Sequence, residues 1–278
     1  MTIVAGFRVK DGVVLCSDTQ YTGAAKIYQK KLFHLPIGTD HYVFGLAGHE
    51  PNGKMAIDEC EDALSDLKPG EHTTRRMKNV LRCAVKPVID DYVLARPAYE
   101  REVLEFSLLV GCHAADGPSA GHKLFAVRSN GVVNNIEDYE CLGTGSYLGH
   151  YLLKPSFHEF MSLDATMLLA SQALRAAKDY DASCGGPSSF EVIMSNGNHE
   201  TVAYDFYNTD AFLRHYEMFE AQLRFAIAPQ NKDDLLLELR LKEFTDAVRG
   251  IRATWKKVDR ARRNLIAVGI QPSSPTTS

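Results

Sequence analysis

No apolar run in these 278 residues approaches the roughly 18 that a membrane-spanning helix needs. The first residues hold no basic segment leading into an apolar block, so no secretory signal is expected. The six cysteines, Cys16, Cys60, Cys83, Cys112, Cys141 and Cys184, contain no CxxC pair. That argues against a zinc site and for free thiols in a reducing compartment. The formal net charge of −4 is too small to suggest a nucleic-acid partner or an anionic membrane surface. The sequence also lacks internal repeats and long linkers. What remains is expected to be a cytoplasmic globular protein, 45% hydrophobic and 24% charged, long enough for a sizeable core in one large domain or in one domain with an appendage.

What is present is patterned in blocks. Ile3–Val9 and Val13–Asp18 are apolar runs joined by Lys10-Asp11-Gly12, a strong hairpin signal. A third strand, His41–Leu46, ends in Ala47-Gly48. A helical period follows in Ile57, Cys60, Leu64 and Leu67, stopped by Pro69-Gly70. Thr73 or Thr74 caps a second helix carrying Met77, Leu81, Ala84, Val88 and Tyr92 on one face, and Pro87 is expected to kink it. Strands return over Leu104–Cys112, Lys123–Arg128 and Val132–Ile136, with turns at Asp116-Gly117-Pro118 and Ser129-Asn130-Gly131. After the Gly-rich turn CLGTGS (141–146) come helices over Tyr147–Leu153 and Leu163–Tyr180. A last hairpin pairs Phe190–Ser195 with Glu200–Asp205 across Asn196-Gly197. Strands, two helices, strands, two helices, strands: such segregation favours sheets covered by helical layers over a βαβ fold.

The remainder differs. Phe212, Tyr216, Phe219 and Leu223, then Leu237, Leu241, Phe244, Val248, Ile251, Trp255 and Val258, follow a heptad-like period. Pro229 between them suggests an antiparallel helical hairpin. The basic stripe Arg249, Arg252, Lys256, Arg260 and Arg263 reads as a solvated helix face. The tail QPSSPTTS reads as disordered.

The chain opens MTIVAGF, a strand starting directly behind Thr2. Termini fray unless tied down, so a terminus built into a sheet points to a job for the end itself. Five separate pieces, in order over roughly residues 2–205, resemble catalytic β subunits of the proteasome family, including the HslV-type peptidases. They are Thr2 with its Gly12 hairpin leading to Asp18; a lysine in YQKKLFHL; FGLAGH; GTGS; and AAKDYDASCGG. These family members are N-terminal-nucleophile hydrolases.

The resemblance implies an α+β, four-layer αββα sandwich over residues 1–206; beyond it the heptad-like period, not the resemblance, marks a C-terminal helical hairpin over 207–268 and the composition a tail over 269–278. It implies Thr2 as nucleophile, Asp18 and Lys31 as its support, Gly48 as oxyanion donor, and Ser146, Asp181 and Cys184 around the amine. Lys26 and Lys30 compete with Lys31 for the lysine position. Ser146 also reads as a helix N-cap and Asp181 as a helix end. Cys184 stands where the family has serine, and a thiol is the weaker hydrogen-bonding group. His49 and Glu50 stand where the family has small residues; Glu50 reads as a helix-start carboxylate.

The chemistry implied is amide hydrolysis. Threonine Oγ needs an adjacent base, and a free N-terminal Thr carries its own α-amine, with a pKa of about 7.7–8.0. That requires loss of Met1, which the small Thr side chain permits without a propeptide. The partners implied are a peptide or protein substrate, a homo-oligomeric double ring and an ATPase or other regulator; no cofactor or metal is implied. A catalytically silent structural subunit and a narrow amidase are the alternatives.

Overall fold

The computed structural model describes residues 2–22, 26–38, 40–68, 71–114, 121–202, 217–224, 227 and 234–267, with backbone alone at 22, 254, 255 and 257–267. It divides into two compact units, Met1–Val202 and Ala203–Ser278.

The first unit is built on two five-stranded sheets. Strands β1 (Val4–Val9) and β2 (Gly12–Asp18) form the expected hairpin, Val9 opposite Gly12 and Val4 opposite Ser17. Two three-residue strands, β3 (Gln20–Thr22) and β4 (Lys26–Tyr28), pair separately. Then come β5 (Leu32–Ile37), β6 (Asp40–Gly48), α1 (Glu50–Ser65) and α2 (Thr74–Val88). Thr73 caps α2, accepting from the Arg76 N–H at 3.3 Å. Pro87 sits inside α2, and the helix widens directly after it into a π-helical turn, Ile89–Leu94. A short helix α3 (Ala98–Leu104) precedes β7 (Phe106–Ala114), so Leu104 ends a helix rather than starting the strand. The chain continues through β8 (Gly121–Val127), β9 (Val133–Ile136), β10 (Tyr139–Leu142), α4 (Ser146–Leu153), α5 (Leu163–Tyr180), β11 (Ser188–Met194) and β12 (His199–Val202).

The first sheet runs β10-β1-β2-β11-β12 and the second β5-β6-β7-β8-β9, antiparallel throughout. Alternation along β6 shows how the core is divided. Val43 and Ala47 face Val4, Leu15 and Leu109 in the cluster between the sheets. Tyr42, Phe44 and Leu46 point the other way and meet Ile57, Leu64, Met77 and Leu81 of α1 and α2. Full burial of each such side chain contributes about 1.5–3 kcal/mol. Helix α5 packs on β1 and β2, and α4 on β10.

In the second unit a helix runs Asp234–Ala267. Leu237, Phe244, Val248 and Ile251 are half-buried on it, and the Phe244 ring stacks on Phe219 with centroids 4.0 Å apart. Arg249 pairs with Asp246 at 3.3 Å on an exposed face. The expected tail 269–278, the seam residues Phe212 and Tyr216, and the turns at Pro69-Gly70, Asp116-Gly117-Pro118 and Pro229 lie outside the described residues.

Candidate active site

The Asp11-Gly12 turn brings the start of β1 beside the end of β2. The Asp18 N–H donates to the Ile3 carbonyl at 3.2 Å. Asp18 is buried, and four donors converge on its carboxylate. The Thr2 hydroxyl donates to Oδ1. The Ile3 N–H reaches the same oxygen at 3.1 Å and the Lys31 ammonium at 2.7 Å. The Gly185 N–H holds Oδ2 at 2.9 Å. The last contact follows from β2 pairing with β11, where Asp18 stands opposite Ser188.

Lys31 enters from the residue before β5. Its Nζ donates to the Thr2 Oγ, to Asp18 Oδ1 at 2.7 Å and to the Gln20 carbonyl at 2.5 Å, three acceptors for three protons. Neither Lys31 nor Asp18 exposes any side-chain surface. Burial pushes the Lys31 pKa down, and the neighbouring carboxylate opposes that shift. The Tyr21 ring lies 4.7 Å from the ammonium, a cation–π contact. Of the three lysines in this stretch, only Lys31 reaches Thr2. Lys26 is exposed on β4, and Lys30, one residue away, turns outward to Glu191 at 3.5 Å.

The remaining candidates sit around this centre without joining its hydrogen bonds. Gly48 closes β6 two residues beyond Leu46, whose N–H donates to the Lys31 carbonyl at 2.9 Å. Its φ is +101°, and a Cβ there would lie 2.3 Å from the Glu105 carbonyl, so glycine is the residue this corner admits. Ser146 opens α4, but the N-cap is Gly145, not Ser146. The turn before it touches the centre: the Gly145 N–H donates to the Thr2 carbonyl at 3.3 Å. A Cβ on Gly143 (φ +92°) would meet that carbonyl at 2.1 Å.

Asp181 is the C-cap of α5, and its carboxylate accepts from the Ser183 N–H at 2.9 Å and from the Ser183 hydroxyl. Ser183 in turn meets Thr144 at 2.9 Å. Cys184 is buried beside Asp18, Asp181 and Lys31. Desolvation first, then the two carboxylates, push its pKa up to about 12, so it is a neutral thiol at ordinary pH. Glu50 is half-buried and paired to Lys54 at 2.6 Å, while His49 caps α1 through the Asn52 N–H at 3.4 Å.

Sequence reasoning missed the Gln20 carbonyl, the Gly185 N–H, the Tyr21 ring and the Thr144–Ser183 contact. Backbone groups leave no side-chain signature, and the paired glycines of SCGG are the one signal that could have marked the close approach at Gly185.

A helix-covered double sheet thus holds Thr2, Asp18 and Lys31 in a buried hydroxyl–carboxylate–ammonium cluster. Residues 2–193 match the family described as Proteasome subunit, and the chain belongs to that family. It is 25% identical over 198 residues to the proteasome subunit beta of Methanococcus maripaludis strain C5, covering 70% of this chain and 84% of that protein. It is 24% identical over 205 residues to the proteasome subunit beta 1 of Caldivirga maquilingensis, covering 73% and 93%. Among solved structures, the Anbu complex of Pseudomonas aeruginosa, described as a helical assembly, superposes with a TM-score of 0.68 at 16% identity, covering 83% of this chain and 98% of that one. Anbu (ancestral beta-subunit) from Yersinia bercovieri gives 0.67 at 16% identity over 83% and 99%. At that identity the likeness is one of fold.

Proposed function

We propose that this protein is an N-terminal threonine peptidase acting on peptide or protein amide bonds. The observation that carries the reading is the buried contact of the Thr2 hydroxyl with both Lys31 and Asp18. Removal of Met1 converts the Thr2 amide into a free α-amine. The amine takes the hydroxyl proton as Oγ attacks the substrate carbonyl, and an Oγ–C bond forms. The Lys31 ammonium stabilises the developing alkoxide, and Asp18 keeps Lys31 charged and aimed. The Gly48 N–H faces the tetrahedral oxyanion, a contribution of about 3–4 kcal/mol in such sites. The C–N bond then breaks and the amine's proton leaves with the departing peptide. Water hydrolyses the threonine ester and restores Oγ–H.

In this reading Asp181 and Ser183 brace the turn carrying Gly145, Ser146 lies beside the α-amine, and Cys184 packs as a thiol against the Asp18–Lys31 pair. The same reading takes residues 1–206 as the four-layer αββα sandwich, 207–268 as an appended helical hairpin, and the working form as a homo-oligomeric ring in the cytoplasm, with an ATPase-type partner as the source of unfolded substrate.

The test is hydrolysis of casein and of short fluorogenic peptides by the chain with Met1 removed, beside Thr2→Ala. Cleavage of both substrates that Thr2→Ala abolishes is the expected result. Cleavage of short peptides alone selects the narrow amidase, and no cleavage by a folded, Met1-free assembly selects the silent subunit.

A further inference from the structure

A cleft of about 640 Å³ opens between the N-terminal half of α2 and the β8–β9 connection. Arg75, Lys78 and Arg82 form one wall; Asn130, Val132 and Asn135 form the other. No carboxylate lines it, and the three cations make no ion pair among the described residues. The acid closest in sequence to the amide wall is Glu137, and Asn135 and Arg8 occupy it. Positions i, i+3 and i+7 set the cations in a row about 10 Å long. Unpaired guanidinium and ammonium groups gathered on a concave wall create a positive potential that an anionic group relieves.

Helix α1 carries the complement. Asp58, Asp62 and Asp66 are exposed at i, i+4 and i+8, a ridge about 12 Å long, with Glu59 beside it. None of the four forms an ion pair among the described residues. The ridge points away from the buried face of Ile57, Cys60 and Leu64. It cannot reach the cleft of its own chain: α1 packs over β5, β6 and β7, whereas α2 covers β8 and β9 with the cleft at its far flank. The two rows match in length and oppose in sign, so the occupant that fits the cleft is already encoded in the chain.

We propose that the basic cleft beside α2 receives the acidic α1 ridge of a second copy of this chain. The inference rests on the homo-oligomeric reading above and names the surface that reading leaves open. Ridge and cleft are different patches, so the contact is heterologous and repeats from copy to copy, generating a ring when the rotation closes and a helix when it does not.

Sedimentation and light scattering on the full chain test it. Raising salt from about 0.1 M to about 1 M shortens the screening length from about 10 Å to about 3 Å, and assembly is expected to weaken. Reversing one row (Arg75→Glu, Lys78→Glu, Arg82→Glu) or the other (Asp58→Lys, Asp62→Lys, Asp66→Lys) is expected to weaken self-association by about 10–100-fold. Mixing the two reversed chains is expected to restore mixed pairs, and circular dichroism melts verify that each is folded. Should a triple reversal fail to fold, the milder Arg82→Gln and Asp62→Asn in a double-mutant cycle carry the test, with non-additive loss expected.

An assembly indifferent to salt and to both reversals overturns the proposal while leaving homo-oligomerisation intact. A wild-type chain that stays monomeric overturns both. Sensitivity to the basic row alone means that the cleft takes an acidic segment of another protein, and the proposal falls.

Discussion

Lys31 brings a charge into the core and finds an acceptor for each of its three protons, so its removal has two separable consequences. Lys31→Met leaves Asp18 buried with three donors instead of four. A loss of about 3–5 kcal/mol in urea unfolding is expected, as for a broken buried pair. Lys31→Met also removes the cation beside the Thr2 hydroxyl, and peptide turnover is expected to fall at least about 100-fold. Tyr21 separates two roles of one side chain. Its hydroxyl is buried without a partner among the described residues, while its ring faces Lys31. Tyr21→Phe keeps the ring and is expected to leave stability unchanged or raised by up to about 1 kcal/mol. Tyr21→Leu removes the cation–π face and is expected to lower both stability and turnover; equal behaviour of the two variants in melts would remove the ring from the account. Gly48→Ala forces a Cβ toward the Glu105 carbonyl at positive φ, and a thermal melt should register about 1–3 kcal/mol of destabilisation.

Among elements, the hairpins and long helices were legible because their signals are local. Asp11-Gly12 sits between two apolar runs, and α5 spans the expected Leu163–Tyr180, with Ser162 found capping it through the Ala165 N–H at 3.3 Å. Helix α3 was hidden because it buries no residue and exposes Tyr99 and Val103, so no amphipathic period marks it. Leu104 was misread as strand because the end of α3 and the start of β7 run together without a turn residue. Strands β3 and β4 are too short to show alternation. The resemblance favours Lys31 over Lys26 and Lys30, and packing supplies the physical difference: the Lys31 side chain is fully buried against Asp18, whereas that of Lys30 is exposed.

The strand pairing also gathers histidines. His34 on β5 stacks on His199 of β12 with ring centroids 3.5 Å apart, and lies 2.9 Å from His41 of β6. Glu191 of β11 accepts from His199 at 2.7 Å, with Lys30 at its other oxygen and Asp40 beside His41. Across β7–β8, His122 meets His113 at 3.3 Å, with Arg8, Lys123 and Asp11 around it. Desolvation first, then neighbouring charge, push His34 and His122 down to about 4. Their folded pKa values lie below the unfolded value, about 6.5, so the fold favours the neutral rings. Their stabilising contribution is therefore complete above pH about 6.5 and is lost as pH falls toward about 4. Urea midpoints measured across this window are expected to drop, and His34→Phe is expected to flatten the dependence; a midpoint that stays level in the wild type would contradict it.

At the scale of the whole molecule, the family match and the two core clusters described above fall within the first unit. A chain ending at Val202 is therefore expected to keep a cooperative melt and native circular dichroism, and a non-cooperative melt would show that this unit depends on residues 203–278. At the other end of the chain, the proposed peptidase activity requires one covalent event, the loss of Met1. In the proposed mechanism Lys31, Asp18 and the β1–β2 hairpin serve catalysis only if Thr2 carries a free amine. Peptide mapping by mass spectrometry, after treatment with a threonine-directed epoxyketone, reads both facts at once. The prediction is a chain lacking Met1 with the adduct on Thr2, absent in Thr2→Ala. A retained Met1, or a Met1-free chain left unmodified at Thr2, would contradict it.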